Sequence, residues 1–105
     1  MVSTWSEERV APVLRLLAYK WTLPILRELS AGQLRRVDLL HLTKMPDRTL
    51  TTTVRALERA GLVDVHLTGG VPARTDLTLT ADGRSVLQLL ARIDTWSRRH
   101  MPPPA

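Results

Sequence analysis

Cysteine is absent from the 105 residues, which excludes disulfides, thiolate metal sites and thiol-based redox sensing. Lysine is scarce: Lys20 and Lys44 stand against 13 arginines. No apolar run approaches the roughly 20 residues that cross a bilayer, because Arg, Lys, Asp or Glu interrupts every candidate. The opening MVSTWSEERV carries acids where an export signal needs a basic stretch and an apolar run, so a cytoplasmic protein is expected. Catalytic chemistry is missing as well. His41, His66 and His100 are isolated, no carboxylates pair within a motif, and Gly69-Gly70 lacks the lysine and following helix of a phosphate-binding loop. No enzyme, cofactor or metal site is expected.

What is present is positive charge, +5 net with a pI near 11.0, carried almost entirely by arginine. That balance favours an anionic partner, and a planar guanidinium suits phosphate oxygens and guanine edges. The length allows one domain, expected over residues 1–100, followed by a disordered tail at 101–105.

Periodicity divides the chain into elements. Val10, Val13, Leu14 and Leu17 fall on one helical line after a Thr4–Glu7 pair that reads as a capping box, with Pro12 kinking or starting that helix. A second helix has Pro24 in its first turn, Gly32 past its end, and Trp21, Ile25, Leu26 and Leu29 as its buried side. A short helix at 37–42 and a turn at 43–46 precede a longer helix at 47–60, which stops at Gly61. The period then changes to that of strands at 62–67 and 74–79, joined by a hairpin at Gly69-Gly70, with Pro72 in the loop. A last helix begins at Thr80 as N-cap, with Asp82 in its first turn. Its apolar stripe (Val86, Leu89, Leu90, Ile93, with Leu87 and Trp96 beside it) is broader than one small domain needs, which points to a second partner. The expected fold is mainly α with a two-stranded β-wing, in the element order of a winged helix-turn-helix.

The helix at 47–60 carries the functional signal. With Leu50, Val54 and Leu57 facing the core, Arg48, Thr52, Arg55 and Arg59 occupy the opposite line, at a spacing that fits a major groove. Thr49 and Thr51 flank it near the end where recognition helices meet base edges. Thr49, Thr51, Thr52 and Thr53 each cost about 0.5 kcal/mol of helix propensity relative to alanine, which argues for close approach to another surface. Residues 35–60 hold six basic side chains (Arg35, Arg36, Lys44, Arg48, Arg55, Arg59) and three acidic ones (Asp38, Asp47, Glu58).

Between Lys20 and Trp96 the chain resembles the HxlR-type regulators, a branch of the MarR-like winged helix proteins of bacteria. The resemblance rests on Lys20-Trp21 and the following LPILREL, on Leu50-Thr51 with Val54, Arg55, Leu57 and Glu58, on GLV at 61–63, and on Pro72 ahead of LTLTADG at 77–83. It implies a homodimer built from the first and last helices, a recognition helix at 47–60 and a wing at 63–79 lying near the minor groove or backbone. Three positions depart from that pattern. Arg36 replaces an aromatic residue, Pro46 replaces a capping serine and leaves Asp47 as the expected cap, and Asp64-Val65 stand where an arginine is usual. Weak wing contacts are therefore expected, from Arg74 and His66.

The reading this supports is a double-stranded DNA-binding regulator. Arg48, Thr49, Thr52 and Arg55 are expected to read bases; Arg35, Arg36, Lys44, Thr51, Arg59 and Arg74 are expected at phosphates. Trp5, Tyr19, Trp21, Leu90, Ile93 and Trp96 are expected at the dimer interface, with a pocket for an aromatic small-molecule effector as the sharper alternative. A rival class is a winged-helix protein-interaction module or antirepressor that uses its acidic wing as the contact surface.

Overall fold

The computed structural model describes residues 4–104; positions 1–3 and 105, and with them the outer ends of the expected domain and tail, lie outside the description. Its elements run α1 (Glu7–Ala18), α2 (Thr22–Leu29), β1 (Leu34–Arg35), α3 (Arg36–Thr43), α4 (Asp47–Arg59), β2 (Val63–Thr68), β3 (Arg74–Leu79) and α5 (Ala81–His100). Residues 101–104 are exposed and without regular structure. No described helix is long and apolar enough to cross a membrane.

Leucine-rich faces of α2, α3 and α4 meet the inner face of the sheet in one core. Ile25, Leu26 and Leu29 from α2, Leu39 from α3, Leu50, Val54 and Leu57 from α4, and Val63, Leu77 and Leu79 from the sheet are all buried. Each large aliphatic side chain so buried contributes about 1.5–3 kcal/mol, so this cluster fixes how the helices are rotated. Trp21, expected inside, is half-buried at the core's edge with the Lys20 ammonium 4.9 Å from its ring centroid; the smaller Thr22 takes the interior position.

The sheet is antiparallel, in the order β1-β3-β2. The sequence reading included only the two wing strands. β1 is two residues long, pairing Leu34 with Leu77 and Arg35 with Asp76, too short for a period-2 signal to register. Val63 to Thr68 pair with Leu79 to Arg74, and residues 69–73 make a five-residue loop in place of a two-residue Gly-Gly turn. Inward-facing residues are buried at the base of the wing, whereas Leu67, on the same face but beyond the body, is 80% exposed.

The helix ends follow local chemistry. Thr4 is exposed and does not cap α1; Ser6 holds the N-cap position, so a Thr4–Glu7 box would start the helix two residues too early. The helix continues through Pro12. α4 stops in a Schellman arrangement: Gly61, at φ 77°, donates to the Glu58 carbonyl, and Leu62 donates to that of Leu57. The Thr80 hydroxyl accepts from the Gly83 amide at 2.9 Å and donates to the Gly61 carbonyl at 2.6 Å, clasping the start of α5 to the end of α4. Gly83 is required there because a β-carbon would collide with the Leu62 carbonyl.

α5 extends well beyond this clasp. Gly83 is its only buried residue, Val86, Leu87 and Leu90 are half-buried, and Leu89, Ile93 and Trp96 are exposed. On α1 only Leu17 is buried, leaving Val13 and Leu14 in solvent. The surplus of apolar surface expected of the last helix is thus present, and α1 adds to it.

Two stability measurements check this packing. The Thr22 hydroxyl is fully buried without a hydrogen-bond partner, so Thr22→Val is expected to raise unfolding free energy in urea by about 1 kcal/mol; a loss instead would reveal an acceptor. Gly83→Ala is expected to cost about 2 kcal/mol or more, since backbone rather than a flexible side chain must move. A neutral result would mean that the α5–β2 contact is loose.

Candidate nucleic-acid interface

Helix α4 is anchored by Leu50, Thr53, Val54 and Leu57, all buried. At 100° per residue the opposite line is Arg48, Thr52, Arg55 and Arg59, and all four are exposed. Among the described residues none of these three arginines enters an ion pair, so their charge is available to a partner. Thr52 sits among them with its hydroxyl donated to the Arg48 carbonyl at 3.0 Å.

The threonine cluster divides. Thr53 is 2% exposed and returns its hydroxyl to the Thr49 carbonyl at 2.7 Å, so it belongs to the core and its propensity cost is offset by burial. Thr51 is engaged by Arg36. Only Thr49, half-buried, and Thr52 remain to meet a surface, which halves the argument drawn from four threonines.

The entry to α4 differs from expectation. Lys44 ends α3 in the left-handed region at φ 56°, exposed, and Pro46 occupies the α4 N-cap with no side chain able to cap. Asp47 is the first helical residue instead of the cap, and its carboxylate points to Arg36 at the start of α3. Arg36 Nη2 donates to Asp47 Oδ1 at 2.8 Å, to the Asp47 carbonyl at 3.1 Å and to Thr51 Oγ1 at 2.6 Å, while Nη1 donates to Asp47 Oδ2 at 3.2 Å. The Arg36 side chain is 28% exposed. Hydrogen bonding from this guanidinium, reinforced by its charge, holds the Asp47 carboxyl below its ordinary value of 3.8.

The phosphate set expected from sequence therefore separates. Arg35, Lys44 and Arg59 are exposed and free of ion pairs among the described residues. Arg36 and Thr51 are bound to each other. In the wing, Arg74 is tied back to Asp76, with Nε and Nη2 at 3.3 and 3.2 Å from Oδ2. Asp76 itself is buried, flanked in register by Arg35 and His66, and its Oδ1 has no partner. His66 lies 3.5 Å from the Thr78 hydroxyl. The Arg36 clamp carries no spacing signal, since it spans eleven residues across a turn, whereas Arg74 and Asp76 stand two apart on β3, a spacing that puts them on one face and that the sequence reading did not use.

Arg35, Arg36, Asp47 and Arg74 also line a cleft between the wing loop and the N-termini of α3 and α4. At the far end of the molecule, Trp5, Tyr19 and Trp96 are exposed, Trp96 stacking on His100 with centroids 4.4 Å apart. Leu90 and Ile93 line a groove between α2 and α5 together with Leu23, Pro24, Leu26 and Leu87. Neither this groove nor the cleft beside the wing loop is lined by Trp5, Tyr19, Trp21 or Trp96.

A helix–turn–helix whose second helix shows a cationic face beside a β-hairpin defines a winged helix-turn-helix domain. The chain belongs to the HxlR-like helix-turn-helix family, whose model matches residues 16–104, a family of transcriptional regulators and not of enzymes. It is similar to an uncharacterized HTH-type transcriptional regulator of Synechocystis sp. (38% identity, over 74% of this chain and 58% of the relative). A second such regulator, from Methanothermobacter thermautotrophicus, is 33% identical over 77% of this chain and 63% of its own. The chain thus spans about three-fifths of the length of these curated relatives. Among solved structures, a MarR-family transcriptional regulator from Enterococcus faecalis superposes with a TM-score of 0.83 at 26% identity, covering 94% of this chain and 91% of that one.

The Asp47 shift sets a pH dependence. A carboxyl held low in the folded state adds stability that is fully present above 3.8 and is lost as the pH falls through its folded value. An NMR titration is expected to place the Asp47 midpoint below 3.8, and to return it to the ordinary range when Arg36 is replaced. An unchanged midpoint in the Arg36 variant would show that the pair is not formed in solution.

Proposed function

We propose that the chain is a sequence-specific, DNA-binding transcriptional regulator acting in the cytoplasm as a homodimer, with one α4 from each subunit in successive major grooves of an imperfect palindrome. The observation that carries this reading is the unpaired line of Arg48, Arg55 and Arg59 directly opposite the buried face of α4. Arg48 and Arg55 suit guanine O6 and N7, Thr49 and Thr52 suit base edges and thymine methyls, and Arg35, Lys44 and Arg59 suit phosphates. Arg74, half-neutralised by Asp76, makes the weaker wing contact.

Dimerisation is supported by α5. A 20-residue helix with one buried residue lacks the tertiary packing that stabilises helices in water, and Leu89, Ile93 and Trp96 on α5, with Val13 and Leu14 on α1, offer the surface for it. An aromatic effector would bind where the terminal helices of two subunits meet, bringing Trp5, Tyr19, Trp21 and Trp96 toward one site.

Footprinting of purified protein on genomic DNA, followed by titration of the recovered site and a random duplex, tests the reading. Arg59→Ala is expected to weaken both duplexes alike and to reduce the slope of log K against log salt by about 1.8, one phosphate contact being lost from each subunit of the dimer. Arg48→Ala is expected to remove about 1–3 kcal/mol of discrimination between them. Failure of an intact dimer to bind any duplex at low salt would overturn the proposal in favour of the protein-interaction module.

A further inference from the structure

Arginines on the reading side of this domain are of two kinds, and the difference between them has a functional consequence. Arg48, Arg55 and Arg59 project freely, whereas Arg36 is consumed within the fold. Its guanidinium starts on α3, grips both oxygens of the Asp47 carboxylate, reaches the Asp47 carbonyl and ends on the Thr51 hydroxyl one turn further along α4. These acceptors lie at the end of α4 that has no capping side chain, since Pro46 offers none. The core holds α4 through Leu50, Val54 and Leu57, with Met45 buried just ahead of it, and the Arg36 clamp is the side-chain contact that ties the first turn, bearing Arg48 and Thr49, to the start of α3.

We propose that Arg36 is a positioning residue for base recognition and not a phosphate ligand: its clamp on Asp47 and Thr51 fixes the direction in which the first turn of α4 presents Arg48 and Thr49. The inference rests on the DNA-binding reading above. The fork geometry explains why arginine stands here. A guanidinium meets a carboxylate through two parallel N–H bonds and still has a donor for the neighbouring hydroxyl, whereas an ammonium is a single point of charge. Asp47 is the counterpart: close to the DNA-facing side its negative charge opposes binding, and its contribution is to hold the clamp.

Charge and geometry therefore give opposite expectations. A phosphate ligand acts through its charge, so Arg36→Ala would weaken specific and random duplexes equally and lower the salt slope by about 1.8 for the dimer, and Arg36→Lys would restore both. In the same case Asp47→Asn would free the guanidinium and leave the ratio of specific to random affinity unchanged. A positioning residue acts through discrimination. Arg36→Ala, Arg36→Lys and Asp47→Asn are each expected to lower the specific-to-random ratio by roughly tenfold, the size of one misdirected base contact, while binding to random duplex and the salt slope of Arg36→Lys stay near those of the unmodified protein. The Arg36→Ala, Asp47→Asn double variant is expected to lose little beyond either single change, because both break one interaction.

The experiment is a fluorescence anisotropy titration of the unmodified chain and these variants against the footprinted site and a random duplex, between about 50 and 200 mM salt. Amide hydrogen exchange at Leu50 and Thr51, the first hydrogen-bonded amides of α4, runs in parallel, reading the clamp without DNA. Faster exchange and a reduced ratio in Arg36→Lys, at unchanged slope, is the expected result. Full rescue by Arg36→Lys, or an unchanged ratio in Asp47→Asn, overturns the positioning role while leaving DNA binding intact. Absence of discrimination in the unmodified protein overturns both.

Discussion

Burial of Leu50, Val54 and Leu57 is the constraint on which the rest of the structure depends. Each of these side chains contributes about 1.5–3 kcal/mol against the α2, α3 and sheet surfaces, far more than any single surface contact of α4. Because a helix is rigid, fixing one line fixes the opposite one, and the arginines at 48, 55 and 59 face outward by necessity. The same anchoring explains how a helix with several residues of poor helix propensity forms: threonine penalties of about 0.5 kcal/mol each are small beside that burial.

Around this helix polar clasps supplement the apolar packing, to which Val86, Leu87 and Leu90 of α5 also contribute. At the C-terminal end, Gly61 turns the chain and Thr80 and Gly83 bind α5 to the α4–β2 junction. At the N-terminal end, the Arg36–Asp47–Thr51 cluster joins the two helices of the turn.

Much of the fold was legible because it is written in periodicity and in local punctuation. The α4 boundaries, the Gly61 stop, the Thr80 cap and the wing strand at 74–79 follow from residues within one or two turns of each other. The site was legible only as a direction. Exposure of Arg48, Arg55 and Arg59 follows from helical geometry, but the neutralisation of Arg36 depends on a contact between elements distant in sequence. Arg36 reads as a free cation until α3 and α4 are docked, Arg74 is paired with Asp76 two residues along the same strand, a period-2 relation the reading passed over, and Thr53 reads as surface although it lies in the core. β1 was invisible because two residues establish no period.

The central claim is that the arginine line of α4 occupies a major groove, and dimethyl sulfate reports on that groove directly through guanine N7. On the footprinted duplex the account predicts protected guanine N7 atoms in two half-sites whose centres lie about one helical turn, roughly 34–36 Å, apart. Protection confined to adenine N3 in the minor groove, or no protection at saturating protein, would contradict it.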